Sequence, residues 1–452
     1  MKGETIDLAY GPRPLTIPRY PNVVQVLERN FMEGVKDLGE ELRRALREPI
    51  GSTRLRNMAG GGDTVTLMIS DAARIYPRRE MVEAVREEIS HIPDSSITIV
   101  IATGNHAAGD PEELGLGEDI LKRYRIINHN SRNFLNMQYM GLTPARERWY
   151  FAKSAAVEFL KAAAERAKRL SFIHGDSGRS GTITFKTASM GLVASLQTPV
   201  FINRIVAKSD VKIGLGQIKP HYFAGYAGGA KSYLPGISWI TTIGINHFMK
   251  THPRSRLGII KGNHVRADME AAVRLCGRTF ILNIVKNGEG DVVRAVAGDV
   301  VEAHRAGVDV CKKISIVKAR KTEVVIASFK RPASMNIYQM TKAVATALKA
   351  VKDGGVIICA GDCSEGTGSL RIINEVIFNL GMSRYLPPGT DVLLVSDLPA
   401  EEVNKTFFRY VESVDKGIEF AGRKLKSDFS ITVIPNADML IPVTEDDDPD
   451  GW

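Results

Sequence analysis

Cysteine is scarce: Cys276, Cys311, Cys359 and Cys363 are the only four in 452 residues. They fall late and irregularly, and the one close pair has three residues between its members. That spacing is neither a zinc ribbon nor a disulfide framework, and it points to a reducing compartment. No apolar run approaches the ~18 residues of a membrane-spanning helix. No signal-peptide pattern precedes Tyr10-Gly11-Pro12, so a cytoplasmic protein without membrane contact is expected. An excess of one charge is also missing. Sixty Lys and Arg oppose 51 Asp and Glu, interspersed rather than blocked, for a formal charge of +9. So mild an excess suits anionic small molecules or nucleotides as well as nucleic acid, and selects no partner. The 41 glycines and 20 prolines follow no period, which excludes collagen-like and low-complexity chains. Hydrophobic residues at 44% and charged residues at 25% make a globular composition, and the length favours two or three domains.

What is present alternates strand and helix. Asp63 to Ser70 is a short β-branched run, and the segment after Pro77 places Met81, Val82, Val85 and Ile89 at helical spacing. Ser96 to Ala102 is a second strand, and Asp110-Pro111-Glu112-Glu113 has the cap and first-turn residues of a helix. YRIINHN is a third strand. Near-continuously apolar strands alternating with helices predict a parallel sheet covered on both faces. A Lys/Arg/Ala-rich helical stretch and a Gly/Ser loop form an insertion at about 145–193. The sheet pattern resumes at Thr198 to Asn203 and Val211 to Gly216, with a further strand at Phe280. A second α/β run begins near Glu323. The expectation is an α/β protein of two α/β domains with largely parallel sheets, residues 1–305 and 318–452, with a hinge near 305–320 and an active-site cleft between them.

Ligands of open parallel sheets sit beyond the carboxyl ends of the strands. Asp71 and Arg74 follow the first strand and His106 the second, although single polar residues there also serve as helix caps. The densest segment runs from Gln217 through His221 and Gly228-Gly229 to Lys231, and then to Asn246-His247. GYAGGAKS within it is a near miss for a phosphate loop, with Ala230 where the second glycine belongs, so a nucleoside triphosphatase is disfavoured. Gly214-Leu215-Gly216 lacks the third glycine of a dinucleotide fingerprint. His221 and His247 have no short metal-ligand spacing, and spacing alone makes zinc a weak reading.

The string PHYFAGYAGGAK, with the histidine of NH sixteen residues after its lysine, resembles the signature of the lactate racemase (LarA-type) family of nickel-pincer enzymes. SDAAR, ATGNH, YRIINHN, LPGI, GNHVRADM, NIYQMTK and GDCSEGTGS follow the family's order, from YGPRPLTIP near residue 10 to VIPNADMLIPV near residue 443. The resemblance implies a racemase or epimerase of a 2-hydroxy acid working through a 2-keto acid. It implies nickel in a pyridinium-3-thioamide-5-thiocarboxylic acid mononucleotide, with His247 as nickel ligand. Lys231 would hold the cofactor, in some members through a covalent thioamide bond, and Asp71 with the Gly228-Gly229 backbone would seat the nucleotide. His106 and His221 would be the two acid–base groups, Arg74 and Lys342 would grip the substrate carboxylate, and Tyr338 and Gln339 would shape its pocket. Cofactor-synthesis proteins are implied as activation partners.

The chemistry makes these residue types intelligible. The α-proton of a 2-hydroxy acid is poorly acidic, so a histidine that takes the hydroxyl proton while hydride leaves the same carbon avoids a large barrier. Imidazole, with an ordinary pKa near ~6.5, suits that task. Two histidines serve both hands. The chain departs from the lactate-specific pattern at Ala107-Ala108, where the family carries Arg-Pro, at Ile75-Tyr76 and at Ala227, so lactate itself does not follow. Two competing readings are a nicotinamide- or metal-dependent oxidoreductase that releases the keto acid, and a basic nucleic-acid-binding protein, which leaves the His/Lys/His constellation idle.

Overall fold

A computed structural model of the chain describes residues 4–72, 74–106, 108–144, 197–368, 386–426 and 428–447. The insertion expected at 145–193 lies outside the described residues. Two compact units emerge, one of residues 31–312 and one of residues 1–30 with 313–452. The division differs from the expected domains at the N-terminus. Strand Val23–Val26 pairs in parallel with Ile431–Ile434, so the first thirty residues complete the sheet of the C-terminal unit. A pairing across some four hundred residues of chain leaves no local pattern to read.

The 31–312 unit is built on a six-stranded sheet. Its order is Val292–Gly298, Arg278–Lys286, Val211–Ile218, Val65–Ile69, Ile97–Ile101, Arg125–Asn128. All neighbours are parallel except the first pair. All five residues of Val65–Ile69 are buried, as a strand covered on both faces requires. Leu67, Ile99, Ile213 and Leu282 from four strands share one core with Met81, Val82 and Val85 of helix Arg78–Glu88. Two local expectations change. Pro199–Asn203 leaves the main sheet to pair antiparallel with Met137–Leu142. Asp110 does cap, accepting the Glu112 N–H at 2.9 Å, but the element is a single 3-10 turn, Pro111–Leu114.

The other unit carries a fully parallel six-stranded sheet. Its order is Arg409–Tyr410, Asp391–Val395, Val351–Ala360, Thr322–Ser328, Ile431–Ile434, Val23–Val26. Val324, Ile326, Val356, Ile358 and Leu393 centre a separate core. Among the described residues no helix is long and apolar enough to cross a membrane.

After strand Val211–Ile218 the chain makes a tiny hairpin, Pro220 opposite Tyr226 and His221 opposite Gly225. Gly225 has a φ of +74°, and a Cβ there would stand 2.1 Å from the Ile259 carbonyl oxygen. Gly277 has the same φ of +74° but open space around it. Denaturant unfolding should therefore separate two identical substitutions. Gly277→Ala costs the backbone penalty of ~1 kcal/mol, whereas Gly225→Ala adds the backbone collision and costs ~3 kcal/mol or more. Equal losses would show that the hairpin is not seated on Ile259.

In the other unit Glu323 accepts from Lys352 Nζ at 2.5 Å and from the Ser430 hydroxyl at 2.6 Å. Burial pushes this carboxyl up, but those bonds outweigh it and pull its pKa from 4.5 to about 2. A depressed carboxyl pKa stabilises the fold above pH 4.5, and that contribution is lost as pH falls towards 2. Glu323→Gln should cost ~1–2 kcal/mol at neutral pH. The gap from wild type should close on acidification, as followed by unfolding midpoints across pH.

Candidate functional site

Adjacent parallel strands bring the first group together. Asp71 lies just beyond Val65–Ile69 and His106 just beyond Ile97–Ile101, so both leave the carboxyl edge side by side. His106 Nδ1 meets Asp71 Oδ2 at 2.6 Å. Burial pushes the Asp71 carboxyl up, yet the His106 hydrogen bond and the charges of His106, Arg74 and Arg78 hold it below the usual range. As a carboxylate, Asp71 accepts the Nδ1 proton, which leaves His106 Nε2 with the lone pair. The other Asp71 oxygen, Oδ1, is buried with no hydrogen-bond partner among the described residues.

Arg78, which sequence reading did not single out, braces this turn. Arg78 is 6% exposed, and its guanidinium donates to the carbonyls of Ser70, Asp71 and Arg74. Tyr76, one of the departures from the family pattern, is buried, and its hydroxyl accepts the Ser70 N–H at 2.9 Å.

The second group forms around Phe223 at the tip of the small hairpin. The Phe223 ring lies edge-on to His221, centroids 4.6 Å apart, and to His247, 4.9 Å apart. Lys231, on the 3-10 turn Gly229–Ser232, brings Nζ to 3.3 Å from His221 Nε2. The Ala224 N–H donates to His221 Nδ1 at 3.2 Å, so the neutral imidazole carries its proton on Nε2. A donor facing the amine requires a lone pair on Lys231. Burial, followed by the charges of Arg266 and Arg74, does hold the Lys231 pKa well below 10.5. Arg74 acts on both Asp71 and Lys231, which joins the two groups into one site.

His247 sits in the last turn of helix Ile240–Phe248, where the helix dipole favours a cation. Its Nδ1 lies 3.2 Å from Asn246 Oδ1. The Asn246 amide nitrogen donates to the Val265 carbonyl at 3.1 Å and to Asp268 Oδ2 at 2.9 Å. That arrangement turns Oδ1 towards the ring, places the imidazole proton on Nδ1 and leaves the lone pair on Nε2. Burial first, then Lys231 and Lys250, keep the His247 pKa well below 6.5, so the ring is neutral and able to bind a metal.

The paired glycines have a packing role. A Cβ on Gly228 would lie 2.8 Å from Asn283 Oδ1, and one on Gly229 2.8 Å from the His304 ring. The Gly229 N–H is given to Asn283 Oδ1 at 2.7 Å. Arg266, fully buried, donates to the carbonyls of Ala224, Tyr226 and Gly228 and clamps the turn from behind. Asn246, Asp268, Asn283, Lys250 and Arg266 carry no sequence signal of their own, although Arg266 and Asp268 fall inside GNHVRADM.

In the other unit, Tyr338, Gln339 and Lys342 lie on helix Ile337–Ala347, partly exposed beside buried Met340, Thr341 and Val344. They share a face, as their spacing predicts. Asn336 caps the helix through the Gln339 N–H at 3.0 Å and donates to Glu365 at 3.0 Å. Backbone bonds from Cys363, Glu365 and Ile337 stitch the 363–366 loop to this helix start. Gln339 Oε1 is buried without a partner among the described residues.

Fold and site thus define an α/β protein of two units with a histidine–lysine centre at the carboxyl edge of a parallel sheet. The chain belongs to the lactate racemase family: the lactate racemase N-terminal domain matches residues 10–162 and 184–258, and the C-terminal domain matches 317–386. It is similar to the lactate racemase of Thermoanaerobacterium thermosaccharolyticum, 27% identical over 472 aligned positions that cover 96% of this chain and 98% of that one. It is 29% identical to the Lactiplantibacillus plantarum lactate racemase over 336 positions, 73% of this chain and 67% of that one. The solved lactate racemase apoprotein from T. thermosaccharolyticum superposes with a TM-score of 0.78 at 25% identity, over 97% of this chain and 100% of that one. A Thermotoga maritima protein shares the fold alone, with a TM-score of 0.63 at 15% identity over 92% of this chain and 100% of that one. The chain is an isomerase of the racemase kind.

Asn246 offers a test of how His247 is aimed. In protein carrying 15N-labelled histidine, Asn246→Leu should convert the single Nδ1–H tautomer of His247 into a mixture, seen in side-chain nitrogen shifts. An unchanged tautomer would show that the ring is held by something other than Asn246.

Proposed function

We propose that this racemase inverts the hydroxyl-bearing carbon of a 2-hydroxy acid with nickel held in a pincer pyridinium mononucleotide. The observation that carries the reading is the set His221, Lys231 and His247 around Phe223, with a lone pair on His247 Nε2 and a neutral amine at Lys231. The residues fit such a cofactor. Among the described residues no group of three or more His, Cys, Asp or Glu side chains is placed to hold a metal. A nickel ion at His247 then takes its remaining donors from an organic ligand. A neutral amine at Lys231 suits a sulfur-bearing arm, including attachment through a thioamide. The buried Asp71 Oδ1 is an acceptor open to a ligand hydroxyl such as that of a ribose. The Gly228-Gly229 turn is assigned to the same seat.

A bound nucleotide, held by His247, Lys231 and Asp71, would supply the hydride chemistry of the interconversion. The protein handles the protons. His106, with Nδ1–H on Asp71, presents Nε2 as a base for the substrate hydroxyl. His221, with its proton on Nε2, is poised as the acid for the opposite hand. Arg74, beyond the same strand edge, offers a planar fork for the carboxylate. Proteins that build the cofactor are the partners this reading requires.

The test is the full chain produced together with a pincer-synthesis system, with nickel measured by mass spectrometry and enantiomers of lactate and larger 2-hydroxy acids followed chromatographically. His247→Ala should lose most of its nickel and remain folded. His106→Ala and His221→Ala should each keep nickel and lose interconversion by ~10²-fold or more. Nickel retained in His247→Ala, near-normal rates in either other variant, or a fully loaded chain inert on every acid would overturn the reading.

A further inference from the structure

One buried cation of the 31–312 unit has no part in the arrangement above. Lys250 lies on the 3-10 turn Met249–Thr251 that follows helix Ile240–Phe248, and it is 7% exposed. Other buried cations of this unit have oxygen partners. Lys212 Nζ donates to the Ser209 carbonyl at 2.5 Å, and Arg266 to three carbonyls. Lys250 makes no hydrogen bond or ion pair among the described residues, and its neighbours are rings. Its Nζ lies 5.8 Å from the Phe223 centroid and 6.0 Å from that of Tyr222. Lys231 Nζ lies 5.6 Å from the same Phe223 centroid. Both lysines act on His247.

A buried ammonium without an oxygen partner destabilises a folded chain, and ring faces offset only part of its lost hydration. Among the described residues no carboxylate balances Lys250; burial alone shifts its pKa, from 10.5 to about 7. Methionine would fill the same volume without that cost.

We propose that Lys250, beside Lys231 and against the Tyr222 and Phe223 rings, is an oxyanion-binding subsite of this site. Its ligand is either the phosphate of a pyridinium mononucleotide or the carboxylate of the acid substrate. The racemase reading supplies the two candidate anions; the subsite itself rests on the burial and missing partner of Lys250.

Calorimetric titration of the full-length apoprotein with inorganic phosphate, nicotinamide mononucleotide and lactate tests it, using wild type, Lys250→Met and Lys250→Arg. Wild type should bind at least one probe. Lys250→Met should weaken that probe about tenfold or more, the loss of one charged contact. Lys250→Arg should stay within about threefold, because the charge remains. Loss confined to phosphate and the mononucleotide assigns the subsite to the nucleotide; loss confined to lactate assigns it to the substrate. Lys250→Met should melt no lower than wild type, which separates lost binding from lost folding. Wild type binding none of the three probes, or Lys250→Met binding all as wild type does, overturns the subsite. Neither result touches the racemase reading, which stands or falls on enantiomer interconversion.

Discussion

One buried guanidinium carries much of the site. Arg266 holds the carbonyls of Ala224, Tyr226 and Gly228. In doing so it fixes the path of the chain between His221 and Lys231, and with it the position of Phe223. Its charge is also among the causes that lower the Lys231 pKa. Burial has a price for Arg266 itself, whose pKa is pushed down to about 10. A charge spread over three carbonyls is tolerated there because each guanidinium nitrogen donates to one of them and the fork is rigid.

The remaining geometry follows from two ordinary features of α/β proteins. Parallel neighbours release their following loops at one edge, so Asp71 and His106 meet although 35 positions separate them. The carboxyl end of a helix favours positive charge, and His247 stands there with its ring oriented through Asn246 and Asp268. His106 and His247 each have Nδ1 occupied by the protein, whereas His221 is held at Nδ1 by the Ala224 N–H and turns Nε2 to Lys231. His106 and His247 present lone pairs, while His221 presents a proton.

Legibility was uneven for physical reasons. The strands around Leu67, Ile99, Ile213 and Ile281 showed themselves because strands buried on both faces must be apolar throughout. Asp71, Arg74 and His106 were candidates from strand order alone. His221, Lys231 and His247 could be grouped only through resemblance, since neither spacing nor composition distinguishes them from solvated residues. The glycine pair looked like a phosphate cradle, yet Asn283 and His304 crowd it from the protein side. Lys250 looked like any lysine after a helix.

The sequence by itself determined the α/β class, five of the six strands of the 31–312 sheet and the family, because burial demands and motif order are written locally along the chain. Only the tertiary structure decided that residues 1–30 complete the C-terminal sheet, that Pro199–Asn203 leaves the main one, and which nitrogen of each histidine is occupied. Those outcomes depend on partners far apart in the chain. Whether a lysine is paired or stranded is likewise a property of everything packed around it, which no window of sequence contains.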